Sequence, residues 1–289
     1  MQRVLVTGAG GQLGRSVLSL ADKYAALSIH GSGREELPLD QPENMEAFLF
    51  KFKPDVIINC AAYTAVDKAE EPAEKKKLYR VNAEAVKELA IYSRKAGCKL
   101  LHISTDYVFD GNGTRPYRED DRTDPVNEYG ASKLKGEEYL LQENSDSIII
   151  RTSWVYAREG HNFLNTMLRL MKEREEISVV DDQRGTPTSA MDLAQVILDL
   201  LAAGEWHPGI YHYSNAGETT WFGFAREILR LSGLDCHIAP ITTQQFPTPA
   251  KRPAYSVLDK TKISRVFGLV IPDWKESLER VLVNKSIGQ

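Results

Sequence analysis

Near its N-terminus the chain runs from a short β-branched segment directly into a cluster of glycines. Arg3-Val4-Leu5-Val6-Thr7 is followed by Gly8-Ala9-Gly10-Gly11-Gln12-Leu13-Gly14, and from residue 12 to residue 24 apolar Leu13, Val17, Leu18 and Leu20 recur at helical spacing. Strand, glycine turn and helix in that order restrict the fold more than any other feature. The glycines stand at 8, 11 and 14, with Gly10 in addition, because Leu13 occupies the place that a tighter G-x-G-x-x-G would give to glycine. Glycine lets backbone N–H groups approach a pyrophosphate, whose charge then lies against the helix N-terminus. Gly8, Gly11, Gln12, Leu13 and Gly14 are therefore read as a dinucleotide-binding loop.

The pattern then repeats. Strand-like runs at 26–30, 55–60, 99–104 and 147–152 alternate with helical periodicity at 70–96 and 129–142. Alternation of this kind predicts an α/β fold, a Rossmann-type doubly wound parallel sheet covered by helices on both faces, with ligands at the strand carboxyl ends. At 289 residues there is room for this domain plus a smaller one. The expected division is 1–153 for the dinucleotide domain, joined by a return of 186–216. That leaves 154–185 and 217–289 for a smaller, C-terminal substrate-binding domain. In this second half a helix is expected at 162–172, a strand at 177–180, a helix at 190–203 and a strand at 210–213. Residues from 218 turn helical, and the Pro-rich stretch 246–253 reads as irregular and pocket-facing.

The second strand ends in Gly31-Ser32-Gly33-Arg34. An NAD-selective site presents a carboxylate to the ribose about 20 residues past the glycines. Glu35 and Glu36 are in range, yet small Ser32 and Gly33 beside cationic Arg34 suit a 2′-phosphate better. NADP is the preferred cofactor, with NAD as the alternative.

Chemistry is carried by three further residues. Thr105 closes the apolar run at 99–104, and Tyr129 and Lys133 stand four apart, on one face of a helix. A free phenol, with a pKa of about 10, shuttles protons poorly at neutral pH unless a cation stabilises its phenolate. Lys133 can sit near the Tyr129 ring and also reach a ribose hydroxyl, while Thr105 can hydrogen-bond a substrate carbonyl. Thr105, Tyr129 and Lys133 thus form the candidate catalytic set of a carbonyl reductase, with Tyr129 and Lys133 also touching the cofactor.

Composition narrows the partners. No apolar run approaches the roughly 20 residues of a membrane span, and the chain opens in a strand without a signal-peptide pattern. A net charge of −4 with dispersed basic residues argues against nucleic acid. The cluster Lys75-Lys76-Lys77, flanked by Glu70, Glu71 and Glu74, reads as a solvated helix face. Cys60, Cys98 and Cys236 are widely spaced and odd in number, which suits reduced thiols in a cytoplasmic protein. The six histidines show no ligand grouping, so no metal site is expected.

Several segments together resemble the extended short-chain dehydrogenase/reductases that act on nucleotide sugars, and within them the dTDP-4-dehydrorhamnose reductase family. They are the G-x-x-G-x-x-G loop with Gly11-Gln12-Leu13-Gly14, the block from Asn59 to Glu70, and Ser104-Thr105-Asp106-Tyr107-Val108-Phe109-Asp110-Gly111. Tyr129-Gly130-Ala131-Ser132-Lys133, Arg151 to Tyr156, Asp182 to Thr188 and Arg252-Pro253 complete them. The resemblance implies reduction by NAD(P)H of the 4-keto group of dTDP-4-dehydro-β-L-rhamnose to dTDP-β-L-rhamnose, for cell-surface polysaccharide. It implies that Leu39 and Asp40 lie at the adenine edge and that Ala61, Ala62, Tyr63 and Thr64 border the cofactor. Thr64, Val66, Thr105, Asp106, Trp154, Asn162, Arg184 and Arg252 are the substrate-binding residues it suggests, Arg252 against the diphosphate. One departure narrows the chemistry: Asp106 is followed by Tyr107, where nucleotide-sugar dehydratases carry a glutamate as well. Another concerns assembly, since the first helix lacks the glutamate associated with a metal-bridged dimer. A monomer or homodimer is expected. The alternatives are another nucleotide-sugar reductase or epimerase, or a non-catalytic NADP-binding regulatory subunit.

Overall fold

The computed structural model describes residues 1–286. Six parallel strands form its main sheet: β1 (Gln2–Thr7), β2 (Leu27–Ser32), β3 (Val56–Asn59), β4 (Lys99–Thr105), β5 (Ser147–Thr152) and β10 (Gly209–His212). Their spatial order is β10-β5-β4-β3-β1-β2. The chain builds outward from β1 to β2, then crosses back to place β3 on the other flank of β1. A topological switch point thus lies between β1 and β3, where the loops diverge and leave a crevice.

Period-2 alternation decides which side chains go to which face. Val4, Val6, Ile58, Leu101, Ile148 and Ile150 pack with Val17 of α1 (Gln12–Ser19) and with Leu193, Ile197 and Leu201 of α7 (Ala190–Ala203). Their neighbours Leu5, Ile57, Leu100 and Ile149 pack on the opposite face against α2 (Met45–Phe52) and α4 (Ala85–Ala96). Near-continuous apolar strands are what burial on both faces demands. A third cluster joins α6 (Phe163–Glu173), α8 (Trp221–Ser232) and α10 (Trp274–Ser286) to a two-stranded parallel sheet of β7 (Glu176–Val180) and β12 (His237–Ile241).

The expected helix at 12–24 stops at Ser19, and a 3-10 turn follows at Ala21–Lys23. The expected helix at 70–96 is interrupted. It comprises α3 (Pro72–Tyr79), a π turn at Arg80–Glu84 and then α4. Asn82, in the π turn, is buried and uses its side chain elsewhere. Its Oδ1 accepts from the Tyr63 N–H at 2.8 Å, and its Nδ2 donates to the Tyr63 carbonyl at 3.1 Å and to Ser132 Oγ at 3.0 Å. Those bonds tie the loop after β3 to α5 (Glu128–Glu143), and they explain why a π turn persists where α-helix is the default. Gly136 makes this approach feasible, because a Cβ there would lie 2.2 Å from the Asn82 carbonyl oxygen.

The helix α5 is anchored at both ends. Asn127 caps it, its side chain accepting from the Gly130 N–H at 2.8 Å. Farther along, Glu137 pairs with Arg151 of β5 through bonds of 2.7, 3.0 and 3.1 Å, both side chains being buried. The face of α5 that carries Tyr129 and Lys133 is thereby fixed against the ends of β4 and β5.

Candidate active site

A cavity of about 1190 Å³ opens over the carboxyl ends of the main-sheet strands. Its size exceeds the roughly 300–1,000 Å³ of ordinary small-molecule sites, leaving room for two ligands. At one end lies the glycine loop. Gly8 has φ +67°, and a Cβ on it would come within 2.7 Å of the Ala61 backbone. Gly14 would clash at 2.3 Å with the Gly8 carbonyl oxygen, whereas Gly10 has open space around its Cβ position. Gly8 and Gly14 therefore bring loop, helix and β3 together, and Gly10 and Gly11 face the cavity. The N-terminus of α1 has no side-chain cap and no acidic residue in its first turn. Its free N–H groups suit a pyrophosphate. This cradle fits a dinucleotide.

Gln12, Leu13, Gly33, Arg34, Leu39, Asp40, Ala61, Ala62, Tyr63 and Thr64 all line the same cavity. Among the described residues Arg34 has no ion-pair partner, while neighbouring Glu36 is held by His30 at 2.9 Å. Ser32 is buried below the lining, its hydroxyl without a hydrogen-bond partner among the described residues. Lys77 and Val81 also line the cavity, Lys77 from a face that its charge run marked only as solvated. Arg15, one turn into α1, lines it too and was missed.

The reactive corner gathers Thr105, Asp106, Tyr107, Tyr129 and Lys133. Thr105 Oγ1 accepts from the Tyr107 N–H at 3.2 Å and donates to Asp106 Oδ1 at 3.1 Å. A hydroxyl has one proton to give. The Thr105 hydroxyl also favours the ionised form of the Tyr129 phenol, so Asp106 and a Tyr129 phenolate compete for that proton. Burial pushes the Tyr129 phenol up to about 12, opposed by the Thr105 hydroxyl. Burial likewise pushes the Asp106 carboxyl up to about 7, and its Oδ2 has no hydrogen bond among the described residues. Tyr107 stands edge-on to Tyr129, ring centroids 5.8 Å apart.

Lys133 is buried, and its Nζ donates to the Ile103 carbonyl at 2.7 Å and lies 3.2 Å from His102 Nε2. Burial pushes its ammonium down to about 8, opposed by the negative charge of Glu137. The spacing of Tyr129 and Lys133 indicated a common face; it gave no sign of the β4 atoms that hold the lysine.

At the other end Trp154 stacks on Trp221, centroids 3.6 Å apart and planes 10° from parallel, with Phe163 tilted 4.6 Å from Trp221. Trp154 has φ +46°, a left-handed conformation uncommon for a bulky residue and costing roughly 1–3 kcal/mol. Gly185 permits it, since a Cβ there would meet the indole at 2.6 Å. Trp154, Val66, Trp221, Ser153 and His161 all line the cavity. Asn162 does not. It caps α6 and donates to Gln12 Oε1 at 2.8 Å, bracing a cofactor-loop side chain.

Arg184 and Arg252 are likewise outside the lining. Arg184 pairs with Glu218 at 3.0 Å on an exposed face. Arg252 forms a two-pronged pair with Asp67, at 2.8 and 2.9 Å, and donates to the Ala250 carbonyl. No residue of 246–253 lines the cavity, so the pocket-facing expectation for that stretch is corrected. Its guanidinium is spent on fastening the stretch to the Asp67 loop, behind Tyr107.

No group of three or more His, Cys, Asp or Glu positioned for a metal occurs among the described residues. The three cysteines are free thiols. No helix of the described residues is long and apolar enough to cross a membrane.

Comparison with known proteins agrees along the full length. The profile of the RmlD substrate binding domain family matches residues 1–287. A dTDP-4-dehydrorhamnose reductase of Burkholderia thailandensis is 44% identical, over 94% of this chain and 95% of that protein. The crystal structure of a dTDP-4-dehydrorhamnose reductase from Clostridium acetobutylicum superposes with TM-score 0.93 at 40% identity, covering 99% of this chain and 100% of the other. That of a Bacillus anthracis dTDP-4-dehydrorhamnose reductase in complex with NADP gives TM-score 0.91 at 39% identity, covering 98% and 100%.

Proposed function

The chain belongs to the RmlD substrate binding domain family, and from that premise we propose that it is an NADP-preferring oxidoreductase that reduces the 4-keto group of dTDP-4-dehydro-β-L-rhamnose to dTDP-β-L-rhamnose. The observation that carries the reading is the meeting of Thr105, Tyr129 and Lys133 in a cavity large enough for a dinucleotide and a nucleotide sugar together. Nearly full-length relatives named for this reaction support it. The cofactor supplies the hydride when bound at the Gly8–Gly14 loop.

This chain's own residues supply the rest. Tyr129, kept protonated at neutral pH by its burial, gives its proton to the developing alkoxide, a stronger base than a phenolate. Lys133 then stabilises the phenolate by its charge, and Thr105 turns its hydroxyl proton from Asp106 to Tyr129. Asp106 holds the Thr105 hydroxyl at the sugar end of the site, and the Trp154–Trp221 stack gives the sugar a rigid apolar wall. Residues 1–153 with 186–216 act as the cofactor-binding part, and 154–185 with 217–289 as the substrate-binding part. Arg184 and Arg252 serve the substrate diphosphate only if Glu218 and Asp67 release them. The enzyme works in the cytoplasm, as a monomer or homodimer.

Incubation with NADPH and a panel of nucleotide 4-keto sugars, followed by absorbance loss and product analysis, tests the assignment. Turnover confined to the dTDP-4-dehydro-rhamnose substrate is expected. Turnover with a different sugar only would reassign the substrate, and NADPH binding without turnover of any sugar would indicate a regulatory protein. Cofactor choice is tested by Arg34→Ala. Removing an exposed guanidinium from a 2′-phosphate should weaken NADPH about tenfold and leave NADH nearly unchanged; equal effects on the two would reduce Arg34 to a solvated loop charge.

A further inference from the structure

Behind the reactive corner, under the main sheet's carboxyl end, a line of buried polar side chains leads to Lys133, and its members Thr7, Asn59 and His102 have no part in the steps above. Thr7 Oγ1 lies 2.6 Å from Asn59 Oδ1, Asn59 Nδ2 lies 2.9 Å from His102 Nδ1, and His102 Nε2 lies 3.2 Å from Lys133 Nζ. Thr7, Asn59, His102 and Lys133 are each at most 1% exposed. The first three sit on adjacent strands in register, Thr7 beside Asn59 and Asn59 beside His102, and Lys133 reaches them from α5. Three polar side chains buried side by side in successive strands cost desolvation and need an occupation.

We propose that His102 is a positioning residue for Lys133: a neutral imidazole whose Nε2 accepts from the lysine ammonium and, together with the Ile103 carbonyl, fixes its place and its charge. An ammonium has three N–H donors. Ile103 and His102 take two, leaving one for the cavity that Lys133 lines. His102 can play this part because burial and the neighbouring lysine charge push its own pKa far below the ordinary histidine value, so the ring keeps a lone pair. With the ammonium at Nε2 the ring hydrogen is on Nδ1. A carboxamide presents either oxygen or NH2 by a half-turn, so the Asn59 oxygen and nitrogen exchange the positions given above, placing the oxygen toward that hydrogen and the NH2 toward Thr7.

The other groups facing Lys133 do not replace this acceptor. Glu137, one turn along α5, is already engaged by Arg151, and the Cys60 thiol is pushed by burial up to about 12 and stays neutral. Tyr129, one turn before, needs the lysine rather than supporting it.

The test reads the lysine directly. In protein labelled with carbon-13 at lysine Cε, the Lys133 resonance, assigned by its loss in Lys133→Met, gives a titration midpoint. His102→Leu removes the acceptor and should lower that midpoint by about one pH unit, the size of a hydrogen bond to a charged group. His102→Gln, which restores an oxygen, should recover part of the shift. A midpoint unmoved in folded His102→Leu overturns the proposal. Should that variant not fold, nitrogen-15 imidazole shifts of the wild type decide: Nε2 of His102 moves with the Lys133 midpoint if it accepts from the ammonium, and a constant Nε2 overturns the proposal. A functional arm rests on the reductase reading, in which the alkaline limb of kcat moves down with the lysine midpoint. Absence of turnover would sink that reading and leave the resonance experiment standing.

Discussion

Tyr129→Phe is expected to lower kcat on the order of 100-fold or more while cofactor binding stays near normal, the span associated with loss of a general acid. The substitution removes one oxygen. Its ring still packs edge-on to Tyr107, and Thr105 keeps Asp106 and the Tyr107 N–H as partners. Structural damage is therefore small, and the loss reports proton delivery. Single-turnover reduction of the keto sugar, with NADPH affinity measured by fluorescence on the same protein, checks it. Near-wild-type single-turnover rates would remove Tyr129 as the acid and point to the Asp106 carboxyl, whose pKa burial raises to about 7.

Glu137→Ala should destabilise the fold by about 3–5 kcal/mol, the usual consequence of leaving one member of a buried ion pair uncompensated. Arg151 is 3% exposed, and besides Glu137 it meets a long 3.4 Å contact to the Glu119 carbonyl and the face of the Phe109 ring, 5.2 Å from the ring centroid. Urea unfolding read by tryptophan fluorescence measures the loss. The double replacement Glu137→Leu with Arg151→Met should regain most of it, since neither charge then has to be buried. If the single variant is as stable as the wild type, water reaches Arg151 and the pair does not clamp α5. Both partners lie close to the site, Arg151 just before Thr152 of the cavity lining and Glu137 one turn beyond Lys133. A loosened clamp should accordingly reduce kcat even at temperatures where Glu137→Ala remains folded.

The sheet was legible because burial on both faces makes its strands short, β-branched and bounded by polar turns. The strand at 147–152 and the helix at 190–203 fall at the boundaries their periodicity indicates. The glycine loop and the Tyr129–Lys133 pair were readable as candidates for a different reason, since local spacing fixes which of their side chains share a face; Thr105 joins them in one cavity only through the packing of α5 on β4. Spacing is silent about partners from distant chain. Asn82 turns a helix into a π turn through bonds to Tyr63 and Ser132, and nothing within 80–84 announces them. Trp221 and His161 reach the cavity only through tertiary packing, and two-residue strands such as β8 (Arg184–Gly185) and β11 (Thr219–Thr220) exist only as each other's partners. Arg252 carries the complementary lesson: a cation fit for a diphosphate was read from its type, and the structure gives it to Asp67.

The sixth strand of the main sheet, β10, comes from residues 209–212 and pairs with β5 at 147–152. On the ribosome this separation becomes an interval of time. Until residue 212 has emerged, the nascent chain carries β5 as an open edge with Ile148, Ile149 and Ile150 in sequence. An unpaired apolar edge is a template for pairing with other chains. The interval spans about 57 codons from the end of β5 at 152 to the start of β10 at 209, several seconds at roughly 5–20 residues per second. Expression yield should therefore be more sensitive to translational pauses placed between codons 153 and 212 than to pauses elsewhere, and trigger-type chaperones should crosslink to the nascent chain most strongly in that window.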